Sequence, residues 1–131
     1  MRILLLLVIQ IGLLSFSKSL AQEQPFEWRF PSGKTEGILL LFPGFGGDSN
    51  TILQEFKILD KAQDEGILLI LMNINQRLWL EEFEKQDLRN SLETFFSNEV
   101  LTDCWFGIGG FSSGGNLAFQ LGEFLKRDQF Q

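Results

Sequence analysis

The sequence predicts an α/β fold organised around a parallel sheet. Three runs of strand length are almost wholly apolar: Gly37 to Phe42, Ile67 to Met72 and residues 104–108. Each is followed by a glycine-rich or polar loop and then by a segment with apolar residues at helical spacing. Strands that are apolar on both faces belong to sheets covered on both sides. Alternating strands and helices place such strands parallel, joined by right-handed crossovers.

Taken in order, the chain supports that reading element by element. Residues 26–30 alternate aromatic and charged, Phe26-Glu27-Trp28-Arg29-Phe30, which suits an edge strand ended by Pro31. A turn at Pro31-Ser32-Gly33-Lys34 leads to the first apolar strand. After it comes the loop Pro43-Gly44-Phe45-Gly46-Gly47-Asp48. Thr51 with Gln54 suggests a capping box for a first helix, with Ile52, Phe56 and Leu59 on one face and Gly66 at its end. The second apolar strand leaves through Asn73-Ile74-Asn75-Gln76-Arg77, a polar loop that reads as solvated. A second helix is predicted over residues 87–96, with Leu88, Leu92, Phe95 and Phe96 inward. Glu81, Glu82, Glu84 and Asp87 read as a solvated face. The third strand runs through Gly109-Gly110-Phe111-Ser112-Ser113-Gly114-Gly115 into a third helix that buries Leu117, Ala118, Leu121, Phe124 and Leu125.

The first 21 residues read as a separate unit. Arg2 precedes an apolar stretch over residues 3–14, and a polar segment ends in Ser19-Leu20-Ala21. Small residues at the first and third of those positions suit signal peptidase, so cleavage is expected after Ala21 and the protein is expected to be secreted or periplasmic. The stretch falls short of the roughly 20 residues that cross a bilayer, so no stable membrane anchor is expected. Residues 22–131 then form one domain. Loss of Arg2 and Lys18 leaves nine basic residues against 17 acidic ones, a net charge of −8. Such a surface repels phosphate backbones, and nucleic acid is not an expected partner. Cys104 is the only cysteine, so no intramolecular disulfide can form.

The segment Gly110-Phe111-Ser112-Ser113-Gly114 fits the pattern G-x-S-x-G. That spacing has a steric reason. A serine raised above the sheet on a strained strand-to-helix turn leaves no room for side chains two residues before or after it. The helix that follows aims backbone N–H groups at the place where negative charge develops. By itself the pattern is weak, because a glycine-rich turn with an ordinary serine would share it. A buried strand before and an amphipathic helix after are what the mechanism requires, and both are present.

The stretch from Gly110 to Ala118 resembles the nucleophile elbow and first helical turn of α/β-hydrolase esterases and lipases. Leu40-Leu41-Phe42-Pro43-Gly44-Phe45-Gly46-Gly47 likewise resembles that family's oxyanion loop. The resemblance covers about residues 37–127, close to half of a family domain, so an incomplete, parallel-sheet α/β-hydrolase-like sandwich is expected. It implies Ser112 as nucleophile, attacking carboxylic esters, with amides or peptides as a variation. It implies backbone donors from Phe45 and Ser113, with Gly46 as the alternate to Phe45, and no cofactor or metal. Pro43 stands where many members carry histidine, a minor departure. The larger departure is the absence of any histidine. The family's order is Ser, then Asp or Glu, then His. The acid and base are therefore expected beyond Gln131, and the 131-residue chain is expected to be inactive by itself.

Two other classes compete. A non-catalytic binding protein of the same fold is favoured by the missing histidine alone. A nucleotide-binding module is disfavoured. Gly33-Lys34-Thr35 precedes its strand and has Trp28 where a P-loop needs its first glycine. Gly44-Phe45-Gly46-Gly47-Asp48-Ser49 lacks the third glycine of a dinucleotide fingerprint, and the next strand ends in Asn73 instead of an acid.

Overall fold

A computed structural model of the chain describes residues 24–127. The expected signal sequence and its cleavage site at Ala21 lie outside the described residues. The elements are β1 (Phe26–Arg29), β2 (Gly37–Phe42), α1 (Ser49–Phe56), α2 (Leu59–Asp64), β3 (Ile67–Met72), α3 (Glu82–Asn98), β4 (Trp105–Gly110) and α4 (Ser113–Arg127). The strands form one sheet in the order β1-β3-β2-β4. The class is α/β, as expected, with one qualification. β2 runs parallel to both β3 and β4, but β1 is antiparallel to β3, so the sheet is mixed. The connection between β1 and β2 is too short to hold the crossover that a parallel arrangement would need.

Alternation along β2 and β3 divides the core in two. Ile38, Leu40, Phe42, Leu68, Ile70 and Met72 face α3 and α4, meeting Leu88, Leu92, Leu117, Leu121 and Phe124. Leu41, Leu69 and Leu71 face the opposite way, toward Ile52 of α1 and Ala62 of α2. Both faces are covered, which is why these strands carry no polar residue. β4 is different. It lies at the sheet edge with one neighbour, its residues are only half-buried and Trp105 is exposed. The expectation of a fully buried third strand is thus corrected.

Three local expectations also change. The first helix breaks in two at Lys57, which takes a left-handed conformation (φ 49°) and donates its N–H to Leu53 O at 3.0 Å. Ile52 and Leu59 therefore lie on separate short helices. The cap is Asp48, with Thr51 in the third position instead of starting the box. Thr51 N–H donates to Asp48 Oδ1 at 2.9 Å, and Asp48 N–H donates to Thr51 Oγ1 at 3.3 Å. The Thr51 backbone bond holds the Asp48 carboxyl below the ordinary aspartate range. The helix α3 starts five residues earlier than residue 87, behind a second box made by Glu81 and Glu84.

The connections change face between two neighbouring strands. From β2 the chain passes to α1 and α2 on one face; from β4 it passes to α4 on the other. β2 and β4 are hydrogen-bonded neighbours. Helices leaving adjacent parallel strands in opposite directions cannot both cover the strand ends. Open α/β sheets carry their sites at such a switch, outside the carboxyl ends of the strands.

Candidate active site

The parallel register aligns Phe42 with Gly110, so the loops after β2 and β4 emerge side by side. Phe111 N–H extends the pairing by one bond, to Phe42 O at 3.1 Å. The chain then turns sharply. Gly114 N–H donates to Phe111 O at 2.8 Å and Gly115 N–H to Ser112 O at 3.0 Å, and α4 begins.

Ser112 sits at the apex of that turn, exposed, with φ 52°. A left-handed conformation costs a residue with a Cβ about 1–2 kcal/mol. At Lys57 it has a routine explanation, because helices commonly end that way. Ser112 precedes a helix, where the flanking residue is ordinarily extended. Its conformation is set instead by packing on both sides. A Cβ on Gly110 would stand 2.1 Å from Gly114 O, and one on Gly114 would stand 2.2 Å from Pro43 O and 2.7 Å from Phe42 O. The glycine pair thus allows the elbow to close on itself and against the β2 loop.

The β2 loop is itself a tight turn. Gly47 N–H donates to Gly44 O at 2.9 Å, and Gly46 takes φ 77° in the third position, where a type II turn requires it. A Cβ on Gly44 would lie 3.3 Å from the Phe111 ring, so this turn and the elbow are in contact. The Gly46 N–H already donates to Asn75 O at 2.6 Å. That bond removes Gly46 as the alternate donor. The N–H groups of Phe45 and Ser113 have no hydrogen-bond partner among the described residues. The first turn of α4 carries no acidic side chain, and Lys126 and Arg127 lie in its last turn. The positive end of the helix dipole at Ser113 is therefore not neutralised by its own helix.

The segment after β3, which reads as a solvated loop in the sequence, is anchored at both ends. Asn75 Nδ2 donates to Gly47 O at 2.7 Å. Farther along, Asn116 Nδ2 and Gln120 Nε2 of α4 donate to Leu78 O at 2.7 and 3.1 Å, and Leu80 N–H donates to Gln120 Oε1 at 2.9 Å. Residues 75–80 thus strap the β2 loop to the helix that follows Ser112. Trp79 remains exposed, as do Phe45 and Phe111. Arg77 pairs with Glu84 of α3. No sequence pattern distinguished Asn75, Asn116 or Gln120, because each acts on a backbone group distant in the chain. A groove of about 630 Å³ follows the free edge of β4 along α4 and adjoins the elbow at Gly110 and Gly115.

Among the described residues no group of three His, Cys, Asp or Glu side chains could hold a metal ion, and no helix is long and apolar enough to cross a membrane. No protein-family model matches the chain, and no curated protein matches it.

Proposed function

We propose that the protein is a secreted or periplasmic serine hydrolase of the α/β-hydrolase kind, acting on carboxylic esters through an acyl-enzyme on Ser112. The observation that carries this reading is the left-handed, exposed Ser112 on a strand-to-helix turn, packed against a second glycine turn at the same sheet edge. Val100 and Asp103, in the loop before β4, also take positive φ (53° and 61°); what sets Ser112 apart is its place directly between a strand and a helix, flanked by two glycines where a Cβ would clash with backbone.

The chemistry follows from the parts. Ser112 Oγ attacks the carbonyl carbon while a base takes its proton. The carbonyl oxygen becomes an oxyanion and accepts hydrogen bonds from the Phe45 and Ser113 N–H groups. One such donor typically contributes about 3–4 kcal/mol to the transition state. Collapse of the tetrahedral adduct expels the alkoxide, which leaves with the proton as alcohol. Water then cleaves the acyl-serine and regenerates the hydroxyl. The chain has no histidine. The base and its carboxylate partner, in the order Ser, acid, His, are the parts this reading still requires. The missing histidine equally favours a second reading, a non-catalytic binding protein of the same fold.

A fluorophosphonate probe separates the two. In the full-length exported protein it is expected to attach to Ser112, located by peptide mass spectrometry, and the labelled mature chain is expected to begin at Gln22. Attachment to another serine would overturn the assignment. An inert Ser112 would decide for the binding protein.

A further inference from the structure

We infer that Asn75 is the positioning residue of the oxyanion site, a role that rests on the hydrolase reading of Ser112. The turn formed by Gly44, Phe45, Gly46 and Gly47 has little to stiffen it. Three of its four residues are glycine, and Phe45 turns its side chain to solvent. Left alone, such a turn can exchange the direction of its central peptide groups at small cost, since glycine accepts both signs of φ. Its Phe45 amide is useful only while it points at the oxygen of the adduct, and a displacement of about 1 Å costs about a hundredfold in rate.

Asn75 holds this turn from both of its polar ends. Its carbonyl accepts the Gly46 N–H at 2.6 Å, and its side-chain amide donates to Gly47 O at 2.7 Å. One residue thereby engages the N–H of the central Phe45–Gly46 peptide and the C=O of the Gly47–Asp48 peptide that leaves the turn, so a flip of the central peptide breaks the first bond and a rotation of the exit peptide breaks the second. The same two bonds leave the Phe45 amide as the donor. Asn75 is half-buried, which shields the pair from exchange with water. Its own position is fixed from the far side by the bonds of Asn116 and Gln120 to Leu78 and Leu80. The strap therefore ties the two expected donors, Phe45 and Ser113, to a common frame.

The test is Asn75→Asp in the full-length protein. This substitution keeps the shape and the carbonyl bond to Gly46 but removes the donor to Gly47 O and sets a carboxylate against that oxygen. The expected result is a fall in kcat of about tenfold or more on an activated ester, with KM within about twofold, and an equal fall in the rate of fluorophosphonate attachment to Ser112. The melting temperature reports whether the variant is folded. If it is not, Asn75→Ser, uncharged and too short to reach Gly47, takes its place and should show the same split. Unchanged kcat, or a rise in KM alone, would overturn the inference. So would failure of both variants to fold, which would make Asn75 a structural residue only. If the unaltered protein neither turns over ester nor labels at Ser112, the hydrolase reading itself has failed, an outcome distinct from the others.

Discussion

Ser112→Gly is expected to end the chemistry and to raise the melting temperature in the same protein. The hydroxyl is the proposed nucleophile, so either Ser112→Gly or Ser112→Ala should abolish fluorophosphonate attachment and lower kcat by about a millionfold, the scale seen when a serine nucleophile is removed. Stability separates the two variants. Alanine keeps a Cβ at φ 52° and so keeps the strain, whereas glycine adopts that angle freely. The glycine variant should therefore exceed the alanine variant by about 1 kcal/mol, or about 2–4 °C for a complete domain of roughly twice this length. Thermal unfolding of both variants alongside the parent reads the difference. Equal melting temperatures would mean that position 112 is relaxed, and continued labelling of either variant would move the nucleophile elsewhere.

Gly114→Ala is expected to damage both the fold and the site, while Gly115→Ala next to it does neither. The new Cβ at position 114 would stand 2.2 Å from Pro43 O and 2.7 Å from Phe42 O. Both are backbone atoms at the end of β2, so no side chain can swing aside. Either the β2 loop moves or α4 does, at a cost of about 1–3 kcal/mol for overpacking. Moving the loop carries the Phe45 amide with it, and kcat should fall by about a hundredfold. At position 115 the nearest atom to a new Cβ is Gly110 O at 3.4 Å, ordinary contact. Alanine there replaces the poorer helix former and should raise stability by up to about 1 kcal/mol, with turnover unchanged. Denaturant midpoints and ester kinetics on the two variants check this pair. Tolerance of alanine at 114 would remove the steric basis of the elbow.

Much of this architecture was legible because apolar patterning is a local signal. The runs from Gly37 to Phe42 and from Ile67 to Met72 contain no polar residue, and burial on both faces is the simplest cause. The glycines flanking Ser112 were legible for a similar reason, since a turn that admits only hydrogen at two positions writes itself into the chain. Other features were hidden. Thr51 and Gln54 have the spacing of a box, but Asp48 three residues earlier is the better acceptor and takes the cap. The break at Lys57 interrupts a sequence with no glycine or proline, so local propensity gave no warning. Asn75 lies among polar residues of a loop, and its neighbours Gly46 and Gly47 come from 29 and 28 residues earlier in the chain.

From the amino-acid order alone came the α/β class, the two glycine turns at strand ends and a serine between spatially demanding glycines, because each depends on residues close together in the chain. Tertiary structure decided which strands are neighbours, that β1 runs against the rest, and that the Phe45 and Ser113 amides have no partner among the described residues while Gly46 is taken. Those outcomes depend on hydrogen bonds between distant backbone groups, which every residue type can make, and so leave no mark in composition or spacing.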